Sequence, residues 1–208
     1  MKNSAYAHAV IAIMLAALVA GTFVITAESE ESEGYNITEN GFSYTTSGTT
    51  ATVTGYSGKT ITNKIIPSSV TYGGTTYTVT AIGSNALQNK VITNLFVPNS
   101  ITTIGAGAFK NTILTDAAFA HVTSIGDQAF YGSVLTNVAF LNATAIGKES
   151  FSRSVLTNVS FSLSLKTIGD RAFADSNLVN INLGNSLTTI GTEAFYKTKL
   201  INVTYWVP

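Results

Sequence analysis

Residues 124–140 read Ser-Ile-Gly-Asp-Gln-Ala-Phe-Tyr-Gly-Ser-Val-Leu-Thr-Asn-Val-Ala-Phe, and residues 145–161 return as Ala-Ile-Gly-Lys-Glu-Ser-Phe-Ser-Arg-Ser-Val-Leu-Thr-Asn-Val-Ser-Phe. The Ile-Gly pair near the start of this unit recurs at Ile82, Ile104, Ile125, Ile146, Ile168 and Ile190, always twenty-one or twenty-two positions on. A fixed period of this length marks stacked supersecondary units, each too small to bury its apolar face without its neighbours.

The two halves of the unit predict different local structures. Four positions after each Gly comes a bulky apolar residue, Leu87, Phe109, Phe130, Phe151, Phe173 or Phe195, preceded by Ala or, once, by Ser150. Ser84, Asp127, Asp170 and Thr192 directly follow the Gly in four of the six copies and suit the N-cap of about one helical turn. In the second half, Leu135-Thr-Asn-Val138-Ala-Phe140 alternates apolar with polar or small residues, so Val138 and Phe140 share the inward face of a strand. The Phe residues of successive units are then expected to stack along the interior.

An earlier copy lies out of step. Ile61-Thr-Asn-Lys-Ile-Ile-Pro-Ser-Ser-Val70 matches Ile92-Thr-Asn-Leu-Phe-Val-Pro-Asn-Ser-Ile101, but stands thirty-one positions before it. The surplus holds Gly73-Gly74 between alternating residues, which predicts a hairpin. Phe42–Tyr44 and Ala51–Tyr56 predict another, capping the first edge. Lys64 stands at an inward position, where a bulge or an exposed register is expected. The fold class is therefore a strand-dominated α/β solenoid of about seven strand-plus-short-helix units behind an N-terminal β-hairpin cap.

The chain reads as four segments. Residues 1–27 start with Lys2, run through apolar Ala9 to Ile25 and reach a small residue at Ala27. They predict an export signal or, with Ala9–Ile25 just short of the roughly 20 apolar residues of a comfortable span, a membrane anchor. Lys2 before the segment and acids after it place the repeats outside the cytoplasm. Residues 28–40 hold Glu28, Glu30, Glu31, Glu33 and Glu39 and read as an acidic flexible spacer. Residues 41–80 are the cap and first irregular repeat, and residues 81–208 the regular repeats.

With this unit and its Ile-Pro-Ser-Ser-Val and Tyr-Gly-Gly-Thr-Thr-Tyr opening, roughly residues 41–205 resemble the BspA-like leucine-rich repeats of bacterial, archaeal and protist surface proteins. The resemblance implies a right-handed curved solenoid with strands on its concave side, in a family linked to adhesion and host-protein binding. Two features depart from the family pattern. Cysteine, frequent in the turn after Ala-Phe, is absent, and the Ile-Pro strand ending survives only in the first two copies.

Composition narrows the chemistry. From Gly41 onward ten Lys or Arg face six Asp or Glu, too weak and scattered an excess to predict a nucleic-acid surface. Without cysteine there is neither a disulfide framework nor a thiolate metal site, and His121 is the one imidazole outside the leader, in a loop. Asp116, Asp127, Glu149, Asp170, Asp175 and Glu193 recur mostly at repeat spacing, as caps and surface charge do. No enzyme, cofactor or metal is expected. Asn36, Asn142, Asn158 and Asn202 head N-glycosylation sequons, two of which arise from the strand pattern itself.

The expected function is an extracellular or cell-surface binding scaffold for protein or glycan, with a self-associating envelope component as the alternative. The binding face is expected on the strands, where the third position supplies Asn94, Asp116, Asn137, Asn158, Asn180 and Asn202, and Phe96, Ser160, Asn182 and Thr204 follow two positions on. Binding there would use uncharged hydrogen bonds, unless the amides only bond to one another. Tyr205 and Trp206, just past the last strand, are expected to serve self-association through the C-terminal edge.

Overall fold

A computed structural model describes residues 34–114, 118–161 and 163–204. The leader, residues 28–33 of the acidic segment, Asp116, Tyr205 and Trp206 lie outside the described residues. The chain divides into two units, Met1–Glu33 and Gly34–Pro208, and every described residue belongs to the second.

The cap opens with β1 (Asn36–Glu39), β2 (Phe42–Ser47) and β3 (Thr50–Tyr56), each antiparallel to the one before it. Residues 36–39 are thus a paired strand, which corrects the expectation of a flexible spacer there. Ile37, 8% exposed, joins the core and fixes the segment despite its acidic surroundings. β4 (Thr60–Ile65), β5 (Ser69–Tyr72) and β6 (Thr75–Ile82) follow, and β5 and β6 close the expected hairpin. Gly73 and Gly74 both have positive φ, 59° and 81°, as a tight turn of that hand requires.

From β3 onward the chain winds. β3 pairs in parallel with β6, and β6 leads into two-residue rungs at each Ile-Gly: β8 (Thr103–Ile104), β10 (Ser124–Ile125), β12 (Ala145–Ile146), β14 (Thr167–Ile168) and β16 (Thr189–Ile190). The other side of each rung carries a second strand: β7 (Val91–Phe96), β9 (Ile113–Leu114), β11 (Asn137–Phe140), β13 (Asn158–Phe161), β15 (Asn180–Asn182) and β17 (Asn202–Thr204). Six rungs enclose about five turns of solenoid, fewer than the seven units expected. The seventh strand segment, β4, pairs with β7 but follows the cap strand β3, with no Ile-Gly turn of its own.

The described residues contain no helix, which corrects the strand-plus-short-helix unit. Each Ile-Gly leads instead into overlapping β-turns. In the first rung the Ala86 N–H donates to Gly83 O and that of Gln88 to Asn85 O, while Asn85, Leu87 and Asn89 donate across to carbonyls of the next rung. The second and sixth residues after Gly have positive φ in every rung, at Asn85 and Asn89, Gly107 and Asn111, Gln128 and Gly132, Glu149 and Arg153, Arg171 and Asp175, Glu193 and Lys197. A positive φ at the third turn residue is the type II geometry and is incompatible with a right-handed helix. Every second N–H is spent on the neighbouring rung, so tertiary pairing overrides the local capping signal. Asp127 and Asp170 do cap a backbone N–H, but that of the next rung: Lys148 N donates to Asp127 Oδ1 at 2.8 Å and Thr192 N to Asp170 Oδ1 at 2.7 Å.

The core follows the sequence pattern. Phe109, Phe130, Phe151, Phe173 and Phe195 form a continuous stack, with centroids 5.1–5.4 Å apart and planes within 5° of parallel. A second stack, Phe119, Phe140 and Phe161, stands on the strand side at 5.4 and 5.9 Å and meets the first edge to face. Leu135, Val138 and Phe140 point inward as expected. Buried hydroxyls line the inner side of the turns, where Thr112, Ser154 and Ser176 donate to the carbonyls of Phe109, Phe151 and Phe173.

Candidate binding face

The strands opposite the Ile-Gly rungs form two sheets, β4-β7-β9 and β11-β13-β15-β17, and the break between them falls between β9 and β11. An isolated bridge from Ile113 to Val134 carries the stack across. The Asn residues differ on the two sides of this break. Asn63 and Asn94 have φ of 48° and 55°, a left-handed kink within each strand that Asn tolerates better than most residues. Asn137, Asn158, Asn180 and Asn202 have no such kink and sit in register with one another. Lys64 is half-exposed and shares a rung with buried Leu95. β4 and β7 run past it without a register shift, so the expected bulge is absent there.

Side-chain amides bond along the stack on both sides. Asn94 Nδ2 donates to Asn63 Oδ1 at 2.8 Å, Asn158 to Asn137 at 2.6 Å, Asn180 to Asn158 at 2.5 Å and Asn202 to Asn180 at 2.6 Å. The ladder therefore bonds to itself: Asn180 keeps one N–H and one lone pair for other use, whereas the second N–H of Asn158 goes to Thr157 Oγ1 at 3.1 Å. Beside it, Ser160 and Asn182 are exposed and adjacent in register, with Thr204 on the next rung. Asn182 Oδ1 accepts from Gly184 N at 3.1 Å, and Thr204 Oγ1 donates to Ile181 O at 3.3 Å. Toward the N-terminal end the same outward position is apolar, with Ile65 at 64% and Phe96 at 62% exposure side by side.

Charge is nearly excluded here: among the described residues of these seven strands, Lys64 is the one ionisable group. Lys148, Arg153 and Arg171 lie in the turns, where Arg171 pairs with Glu193 and Asp175. His121 is exposed, and no group of acids and histidine able to hold a metal ion occurs among the described residues. Three sequon nitrogens already donate: Asn142 Nδ2 to Ala120 O, and those of Asn158 and Asn202 within the ladder.

Sequence reasoning missed an apolar stripe formed by Val91, Ile113 and Val134, stacked on consecutive rungs and about 40% exposed. Its signal was the β-branched residue before each inward Ile or Leu. The last rung also exposes residues whose counterparts are buried. Ile190 and Val203 are 51% and 43% exposed, whereas Ile168 and Ile181 one rung back are 1% and 2%.

A coil of parallel rungs with an inward Leu, Val and Phe repeat and an outward Asn ladder defines a leucine-rich-repeat solenoid. The chain belongs to the BspA-type leucine-rich-repeat family, whose pattern matches residues 80–202 in six copies, more than half of the sequence. Among solved structures, the pneumococcal vaccine antigen PcpA is similar over 83% of this chain and 50% of its own, with a TM-score of 0.71 and 27% identity. A leucine-rich cell surface protein from Faecalibacterium prausnitzii is similar over 82% of this chain and 54% of its own, with a TM-score of 0.57 and 26% identity. A leucine-rich-repeat protein from Bacteroides ovatus, 24% identical over 82% of this chain and 41% of its own, shares the fold at a TM-score of 0.56. The chain thus spans about half the length of these proteins or less. No curated protein matches it.

Proposed function

We propose that the chain is a secreted or cell-surface binding and adhesion scaffold that takes protein or glycan ligands on the strand face bearing the Asn ladder. One observation carries this reading: the outward strand positions are almost free of charge, while Lys, Arg, Asp and Glu gather in the turns. The spare N–H and lone pair of Asn180, with Ser160, Asn182 and Thr204, support recognition by neutral hydrogen bonds, and Ile65 and Phe96 add an apolar end. Surface placement is supported by the family, by the likeness to a pneumococcal vaccine antigen and a leucine-rich cell surface protein, and by Lys2 and the apolar run Ala9 to Ile25. The N-terminal segment would be the sole membrane contact, and neither nucleic acid nor a cofactor has a part. The role needs no catalysis, in keeping with repeat scaffolds of this kind.

Glycan and extended-peptide arrays probed with the full chain test the reading. Asn158→Ala with Ser160→Arg, and Asn180→Ala with Asn182→Arg, should abolish binding and leave the melting curve unchanged, and added salt should weaken binding little. Binding that survives these changes but is lost on charge reversal at Lys148, Arg153 and Arg171 moves the site to the turns and refutes the assignment.

A self-associating envelope component is the second reading, favoured by the exposed Ile190, Ile201 and Val203 of the last rung, with Tyr205 and Trp206 as contacts. A strictly monomeric mass by light scattering at high concentration removes it.

A further inference from the structure

In every rung the N–H of the residue directly after the Gly has no backbone acceptor. Among the described residues from Gly126 to Val134, every N–H has a carbonyl partner except that of Asp127, the residue directly after the Gly. At the same position in two other rungs the preceding rung supplies the acceptor: Asp127 Oδ1 meets Lys148 N, and Asp170 Oδ1 meets Thr192 N. The rung preceding Asp127 carries Ala106, which has no acceptor to offer, and Gly107 follows it.

These two small residues border a hollow of about 340 Å³ that Asp127, with its unbonded backbone N–H, also lines. Asn85 walls one side and Gln128, Lys148 and Glu149 the other. The Gln128 amide is fixed at both ends: Lys110 Nζ donates to its Oε1 at 2.7 Å, and its Nε2 donates to Glu149 Oε2 at 2.8 Å. One N–H and one lone pair of Gln128 remain, beside the second oxygen of Glu149.

We infer that this hollow is a second binding site, separate from the strand face, that receives one neutral sugar residue of a glycan. A hydroxyl oxygen accepts from the Asp127 N–H, as a carboxylate oxygen does in the equivalent places, and neighbouring hydroxyls donate to Glu149 and accept from Gln128. Neutrality follows from the charges gathered there: the carboxylates of Asp127 and Glu149 and the ammonium of Lys148 line the hollow, and Lys110, bonded to Gln128 behind the lining, supplies the second positive charge. An anion would gain nothing net, whereas hydroxyls use donors and acceptors alike. The volume is at the low end for ligand pockets, about 300–1,000 Å³, and suits one ring instead of an oligomer. The amide held at both ends loses little freedom on binding.

The full chain, labelled with nitrogen-15, is titrated with the methyl pyranosides of glucose, galactose, mannose and N-acetylglucosamine. At least one is expected to move the Asp127 amide resonance downfield and to leave that of Lys148, already bonded to Asp127, nearly in place. Ala106→Asp supplies the absent carboxylate, a change the fold accepts at Asp127 and Asp170, and should weaken that sugar about tenfold or more. Gln128→Ala should weaken it without filling the hollow. If no glycoside moves the Asp127 resonance, or if Ala106→Asp leaves the affinity unchanged, the inference is overturned. Because the readout is confined to the turns, neither result bears on binding at the strand face.

Discussion

Phe130 and Phe151 lie face to face in the interior, with centroids 5.1 Å apart and planes 3° from parallel, and Phe140 closes on the edges of both. The two rings are a full repeat apart along the chain, so the contact joins separate rungs. Each ring is fully buried, and neither rung can keep its core without the other.

Phe130→Ala or Phe151→Ala should therefore cost about 3–5 kcal/mol, the range for deleting a buried aromatic ring. Chemical denaturation of each variant measures this. An unchanged midpoint would show that the stack is not what holds the rungs together.

Gly147 is set so close to the preceding rung that an added Cβ would lie 2.6 Å from Asp127 N and from Gly126 C. Both atoms are backbone and cannot swing away. Gly147→Ala should lower the melting temperature by several degrees through a local parting of the rungs, whereas alanine at Gly55, with nothing within 4 Å, should not.

Arg153 has a φ of 57° in a turn position that Asn89 and Asn111 fill in earlier rungs. Its long side chain carries a Cβ and offers the backbone no local hydrogen bond, so the left-handed region costs it about 1 kcal/mol or more. Arg153→Asn should raise stability by about 0.5–1 kcal/mol, the gain being trimmed by the lost contact of Arg153 with the Tyr131 ring. A loss of stability in thermal melts would mean that this contact outweighs the backbone strain.

The Tyr44 hydroxyl is buried without a partner, and burial, aided by the charge of Glu39, pushes its pKa well above the ordinary tyrosine value. The unfolded chain releases this proton first, so the contribution is whole below about pH 10 and is lost as pH rises above it. Stability should fall above that pH more steeply in the parent chain than in Tyr44→Phe. Equal pH profiles for the two would rule out this coupling.

Much of the fold was legible because the repeat is its own alignment. The period of Ile-Gly located the rungs, the alternation in Leu135–Phe140 identified the inward face, and Gly73-Gly74 marked the hairpin, all of which are local or periodic signals. The strand face too could be placed by counting alternate positions from Val138, since side chains of a strand point in turn to either side. The apolar stripe of Val91, Ile113 and Val134 follows the same logic one position earlier.

What escaped the sequence were the choices made between rungs. Ser84, Asp127, Asp170 and Thr192 have the composition of helix caps, yet the turns they open are held by carbonyls of the neighbouring rung, and pairing at that range leaves no signal within a single unit. Asn63 and Asn94 are the same residue type as Asn158 and Asn180, but only the first two are kinked to positive φ, a difference that residue type alone does not announce. The amide ladder was legible as a row and not as a set of bonds, because whether an amide faces its neighbour or a ligand depends on distances of 2.5–2.8 Å set by the stacking of rungs. The sequence by itself determined the period, the inward residues and the family, through spacing along one chain. Tertiary structure alone decided the turn type, the split of the sheet and the hollow beside Ala106, because each depends on which backbone groups a neighbouring rung leaves unpaired.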